Sequence, residues 1–170
     1  MTTGRQNVRP LPATDVRRVA IVWSRYNDFI TRPLLEGAVA EFRRQAGSEE
    51  GLVVMEASGS FEVPMLVHRA AASGRFDAVV ALGCIIKGET SHDLHLATAV
   101  TNALLATARE TGVPVGLGVL TVDNDTQARE RAGGLKGNKG VEAMAAALET
   151  AGSIAALGRA PGVARPKGHY

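Results

Sequence analysis

The side chains best suited to chemistry gather in one stretch, Gly83-Cys-Ile-Ile-Lys-Gly-Glu-Thr-Ser-His92. A glycine-bearing loop that opens a helix through Thr90 and Ser91 collects unpaired backbone amides and hydroxyls, which is how proteins seat a phosphate. His92 then falls in the first helical turn, beside whatever anion is held there, and an imidazole exchanges protons near neutral pH. An isolated histidine is more often a surface or capping residue; its place after an anion seat is what raises this one.

Three further segments carry polar groups of the right kinds. In Trp23-Ser-Arg-Tyr-Asn-Asp-Phe29, Tyr26 offers a flat face to a heteroaromatic ring, and Asn27 supplies both a donor and an acceptor for a polyol, although either residue also suits a turn. In Ser58-Gly-Ser-Phe-Glu-Val-Pro64, Gly59 permits close backbone approach. Glu62 places a carboxylate at a helix start, where it accepts bonds from sugar hydroxyls or from the helix's own amides. In Arg129-Glu-Arg-Ala-Gly-Gly-Leu-Lys-Gly-Asn-Lys-Gly140, Arg131, Lys136 and Lys139 set positive charge beside glycines, a pattern that fits an anion site or a solvated helix connection. Two rival chemistries share the first stretch. Cys84 with His92 would make a thiolate–imidazole pair, but Cys84 ends a buried run without an elbow motif. His92 and His95 share a helical face, yet no third or fourth metal ligand is evident, so no metal is expected.

Composition narrows the classes. A chain of 170 residues with 45% hydrophobic and 21% charged content, one Trp, two Tyr and four Phe suits a single α/β domain with an aliphatic core. The net charge of +2, spread along the chain, gives no basic stripe for nucleic acid. No apolar run approaches the roughly 20 residues that span a bilayer, and the first 18 residues lack a signal-peptide centre. With the single cysteine, this points to a cytoplasmic protein without a membrane partner.

The elements that must position these residues follow from hydrophobic periodicity. Val19–Trp23, Leu52–Met55, Ala78–Leu82 and Val115–Val122 read as strands, three of them apolar enough to be covered on both faces, with Gly116 and Gly118 loosening the fourth. Between them, helical spacing joins Leu34, Leu35, Ala38, Val39 and Phe42 behind a cap at Thr31. It also joins Leu94, Ala97, Thr101, Leu104 and Ala108, then a short helix capped by Asp123 or Asn124 and running through Arg131, and finally Val141, Met144, Ala145 and Leu148. The order β-α-β-α-β-α-β-α-α predicts a three-layer sandwich of flavodoxin-like topology, a four-stranded parallel sheet with helices on both faces. Residues 1–16 are expected to form a flexible arm, 17–158 the domain and 159–170 a flexible tail. In such sheets ligands bind beyond the carboxyl ends of the strands, where the polar segments above are expected to meet.

Taken together, Ser24-Arg-Tyr-Asn-Asp-Phe-Ile30, Gly59-Ser-Phe-Glu-Val-Pro64, Leu82 through His92, Gly112-Val-Pro114, and Glu130-Arg-Ala-Gly through Gly137-Asn-Lys-Gly140 resemble the blocks of lumazine synthases, in that family's order and spacing. The resemblance covers most of the chain, and Gly-Glu-Thr-Ser-His and Gly-Asn-Lys-Gly are its specific parts. It implies an enzyme that condenses a ribitylated aminouracil with 3,4-dihydroxy-2-butanone 4-phosphate, without metal or redox cofactor. By resemblance, Tyr26 stacks on the pyrimidine, Asn27, Ser60 and Glu62 hold the ribityl chain, and main-chain groups around Ile85 and Ile86 read the ring's polar edge. Phe61, Cys84 and Leu117 join that pocket, with Lys139 near the pyrimidine. Glu89 (through its backbone), Thr90 and Arg131 hold the phosphate, and His92 shuttles protons. The resemblance further implies sites shared between subunits of a homopentamer, sometimes closed into a sixty-subunit capsid, with Arg131 and Lys139 supplied by the neighbour, and an association with riboflavin synthase. The chain departs from the family's pattern at Ser58, usually proline, and at Leu117, often aromatic. After His92 it has Asp93, Leu94 and His95 in place of an aromatic and an acid, which leaves Asp93 as the candidate to orient His92. A flavin- or lumazine-binding module without catalysis, a cysteine-dependent enzyme and a structural shell protein are the competing readings.

Overall fold

A computed structural model describes residues 16 and 18–159; the expectations for the rest of the two termini, including Pro10 and Pro12, lie outside the described residues. Four strands, β1 (Val19–Ser24), β2 (Leu52–Ala57), β3 (Ala78–Ile86) and β4 (Val115–Val122), form one parallel sheet in the order β2-β1-β3-β4. Helices α1 (Asp28–Ala46) and α5 (Lys139–Arg159) cover one face, where Phe42, Leu34, Met144 and Leu148 pack on Ile21, Val80 and Leu82. Helices α2 (Val63–Ala72) and α3 (His92–Thr111) cover the other, with Val63, Val67, Val100 and Leu104 on Val22, Val79 and Ala81. This is the predicted three-layer sandwich. β1 and β3 are buried almost throughout because helices cover both of their faces, which is why their sequences run without polar alternation.

Several local expectations are corrected. Val16, placed in the arm by sequence, is already in the core at 3% exposure. Helix α1 starts three residues before Thr31: Asn27 adopts a left-handed conformation, φ 60°, and its carbonyl accepts the amides of Ile30 at 2.9 Å and Thr31 at 3.0 Å, so Thr31 is buried inside the helix. Strand β3 extends to Ile86, so Gly83 to Ile86 belong to the sheet and the loop before α3 is only Lys87 to Ser91. On α3 the buried stripe is Val100, Leu104 and Thr107, because the helix leans on α2 as well as on the sheet, and Leu94 faces outward. Asn124 is the cap of α4 (Asp125–Arg131), accepting the amide of Gln127 at 3.0 Å. A two-stranded hairpin, β5 (Ala132–Gly134) with β6 (Gly137–Asn138), replaces the expected plain connection; Gly133 at φ 114° and Gly137 at φ 77° make the tight reversal possible.

The glycines of β4 do not loosen it. A methyl group at Gly116 would sit 3.0 Å from the carbonyl carbon of Ala143 and closer still to its oxygen, so these glycines let α5 lie directly on the strand. Cys84, 2% exposed on β3, is part of the same packing. Burial pushes its thiol up to about 12, with the negative charge of Asp125 acting in the same direction.

Gly116→Ala is expected to destabilise the fold by about 3 kcal/mol through overpacking, read as a lower urea midpoint at unchanged slope. The Cys84 thiol should resist thiol reagents at pH 8 in the folded protein and react fully in urea. Because its folded pKa lies above the ordinary 9.0, its contribution to stability is complete below pH 9 and is lost as pH rises towards 12. Cys84→Ala should therefore flatten that alkaline decline in urea titrations.

Candidate active site

Parallel strands deliver the segments after β1, β2, β3 and β4 to one edge, and the order β2-β1-β3-β4 reverses direction between β1 and β3. The loops are drawn together at that reversal. Asn27 donates its side-chain amide to the carbonyl of Cys84 at 3.1 Å, tying the loop after β1 to β3. Ser60, 6% exposed, lies so close to β3 that a methyl group on Gly83 would be 2.8 Å from its hydroxyl. Gly83 is therefore the space that admits the loop after β2. Tyr26 stands 69% exposed at this rim, free to lie against a flat ligand. Cys84 and Ile85 are buried and Ile86 half-buried, so what they present to a ligand is main chain, not side chain. The burial of Cys84, which pushes its thiol's pKa up, argues against the cysteine-dependent reading.

The lip beyond β3 has the character of an anion seat. The amide of Lys87 is used by the carbonyl of Val122 at 2.8 Å, whereas Gly88, Glu89, Thr90 and Ser91 are exposed. No side chain caps α3, and the Thr90 hydroxyl accepts only a long 3.4 Å bond from the amide of His92. First-turn amides left in this condition, at the positive end of a helix of 20 residues, attract a phosphate. His92 is the first residue of that helix and exposed, and among the described residues Asp93 makes no hydrogen bond to it. No group of three or more His, Cys, Asp or Glu capable of holding a metal occurs among the described residues. At the start of α2, Glu62 occupies the cap position without a capping bond, so its exposed carboxylate is left for other partners.

The remaining expected residues are elsewhere on the chain. Arg131 ends α4, donating to the carbonyl of Gln127 at 3.0 Å and pairing with Glu130 at 3.8 Å. Lys139 begins α5 and pairs with Glu142 at 2.5 Å. Both belong to the layer of α1 and α5: Arg129 stacks over Phe29 of α1 at 4.8 Å, and the hairpin rests on α1. Leu117 sits mid-strand on β4, paired with Ala81, and faces outward well short of the strand's end. Nor does the groove between α2 and α3 coincide with the rim. A cavity of about 960 Å³ runs between α2 and α3, reaching the rim only through Ser58, Phe61 and Glu62 and continuing past Met65, His68 and Ala103 to Glu110. Tyr26, Asn27, Thr90 and His92 do not line it. Sequence reasoning missed this groove, although alanines at 99, 103 and 106 on a face with Val100 were the available signal.

Comparison with known proteins bears on this rim. The family described as 6,7-dimethyl-8-ribityllumazine synthase matches residues 16–154. Proteins of that name from Chlorobium phaeovibrioides and Chlorobium chlorochromatii are 47% and 48% identical over 132 residues, which cover 78% of this chain and 85% of each relative. That of Anaeromyxobacter dehalogenans is 44% identical over 144 residues, 85% of this chain and 89% of the relative. With a match that spans the entire sheet and every segment at its carboxyl edge, the chain belongs to the 6,7-dimethyl-8-ribityllumazine synthase family.

Proposed function

We propose that this protein catalyses the condensation of 5-amino-6-(D-ribitylamino)uracil with 3,4-dihydroxy-2-butanone 4-phosphate to 6,7-dimethyl-8-ribityllumazine, a step of riboflavin biosynthesis. The observation that carries the reading is the convergence of the Asn27 and Ser60 loops on β3, next to the uncapped start of α3 with Thr90 and His92. Tyr26 covers the pyrimidine, Cys84 to Ile86 meet its polar edge with main-chain groups, and Asn27, Ser60, Phe61 and Glu62 take the ribityl chain. The amides from Glu89 and Thr90 hold the phosphate.

The chemistry asks little beyond positioning, since an amine and a ketone are already reactive partners. The amine adds to the carbonyl and loses water to give an imine. Removal of a proton then lets phosphate depart, and the enol left behind tautomerises. The second amino group closes the ring with loss of a second water. His92 accepts and returns the protons beside the departing phosphate. Donors already fixed around the phosphate stabilise it as it leaves.

The arginine at this rim, Arg25, pairs with Glu56 at 3.4 Å, and we assign the phosphate's arginine to a neighbouring copy: Arg131 and Lys139 complete the phosphate and pyrimidine pockets across a subunit boundary, and Leu117 covers the ring. Exposed apolar surface favours such an assembly, for Phe61 and Met65 are each 67% exposed beside the α2–α3 groove and Leu117 is 51% exposed on β4. A pentamer, alone or as the unit of a sixty-chain shell, accommodates one site per boundary. We place the protein in the cytoplasm, in association with riboflavin synthase; among the described residues no helix is long and apolar enough to cross a membrane.

Mixing the two substrates should produce the lumazine chromophore with release of one phosphate, and a protein that only binds the product would give neither. His92→Ala is expected to lower turnover by about 10²-fold with little change in KM for the phosphosugar. Arg131→Ala should do the reverse, raising that KM by about tenfold or more through the loss of charge-assisted bonds. Unchanged turnover in the His92 variant would remove the shuttle assignment. Light scattering should report five chains or sixty, and a monodisperse monomer with full activity would contradict the shared site.

A further inference from the structure

Between Arg131 and Lys139 the chain makes only the β5–β6 hairpin, and one side chain in it has contacts of an unusual kind. Asn138 donates its side-chain amide to the carbonyl of Pro33 on α1 at 2.9 Å, across 105 residues of sequence. Its amide oxygen accepts the backbone amides of Gly140 at 2.8 Å and Val141 at 3.4 Å, capping the start of α5. One carboxamide thus joins the hairpin, α5 and α1.

The surroundings are shaped to it. A methyl group on Gly37 of α1 would lie 2.5 to 2.7 Å from three atoms of that carboxamide. One on Gly140 would lie 2.7 Å from the carbonyl carbon of Leu34 and nearer its oxygen. Both glycines therefore keep open the space in which Asn138 reaches the helix, and neither has a positive φ to account for it otherwise. Helix cap and helix tie are separable functions of the one side chain: the oxygen serves the first and the nitrogen the second.

We infer that Asn138 is a positioning residue, its amide nitrogen fixing the hairpin on α1 so that Arg131 projects at the angle at which it meets the phosphate and Lys139 at that at which it meets the pyrimidine. The inference rests on the reading of Arg131 as a phosphate ligand given above. Without the tie, α5 remains capped and folded, but the hairpin is free to shift on α1, and displacement of a charged ligand by about 1 Å is enough to weaken a phosphate site severely.

Three variants separate this role from a structural one. Asn138→Asp keeps the acceptor for Gly140 and Val141 and loses the donor to Pro33. Gly37→Ala leaves Asn138 in the sequence and pushes its carboxamide off the carbonyl. Asn138→Ala removes all three bonds. Inorganic phosphate binding by titration calorimetry, thermal midpoints, and KM and kcat for both substrates would be measured on the assembled protein. Asn138→Asp and Gly37→Ala are expected to weaken phosphate binding and raise the phosphosugar KM by about tenfold while kcat changes less than about threefold. Asn138→Asp should melt near the wild type, and Asn138→Ala lower because the cap is gone. Wild-type phosphate affinity in folded Asn138→Asp and Gly37→Ala would overturn the inference. A wild-type protein that bound phosphate and made no lumazine would instead refute the proposed function, and the calorimetry would still decide the role of Asn138.

Discussion

Everything at the rim depends on a single constraint, the reversal of strand order between β1 and β3 in a parallel sheet. Parallel pairing puts all four strand ends on one edge, and the reversal leaves the loops after β1 and β3 diverging to opposite faces with a crevice between them. The bond from Asn27 to the Cys84 carbonyl fixes the width of that crevice, and Gly83 lets Ser60 enter it from the side. Change the order of the strands, and the loops carrying Tyr26, Ser60 and His92 would still share an edge but would no longer flank one crevice.

The same constraint explains the division of labour. The α2–α3 layer begins with the loop that carries Ser60 and Glu62 and with the lip that carries Thr90 and His92, whereas Arg131 and Lys139 belong to the α1–α5 layer. A sheet separates the two sets. On the proposed reading the cationic residues of one chain serve at the rim of another, and the open apolar surface at Phe61, Met65 and Leu117 gives a neighbour somewhere to sit. An anion seat built from amides needs no buried lysine or arginine within its own chain, which suits an edge where every group must also remain accessible to substrate.

Much of this was legible in the sequence, for identifiable reasons. β1 and β3 are buried on both faces, and their unbroken apolar runs show it. Polar segments follow each strand, and the expectation that they meet at the carboxyl edge holds for the Asn27 and Ser60 loops on β3. What escaped were features set by tertiary contact. The start of α1 depends on a left-handed Asn27 held by β3, so Thr31 looked like the cap. Gly83 looked like loop because its role, making room for Ser60, lies in another segment altogether. Gly116 looked like a weak point in β4 for the same reason, its partner being Ala143. The buried face of α3 was read with Thr101 and Ala108 where Val100 and Thr107 are buried, Leu104 being common to both, since periodicity alone does not tell which of two adjoining stripes meets α2. The hairpin between α4 and α5 is too short to carry a strand signal, and its order comes from Asn138 reaching across to Pro33.

The most direct test of the account is complementation between chains. His92→Ala and Arg131→Ala proteins, unfolded together in equal amounts and reassembled, would be assayed for lumazine formation at low phosphosugar concentration, where each alone is nearly inactive. If His92 of one subunit works with Arg131 of its neighbour, random assembly restores both groups at about a quarter of the boundaries, and activity should recover to about that fraction of the wild type. Activity that stays at the mean of the two parents would show that each site draws both residues from one chain, and would contradict the account.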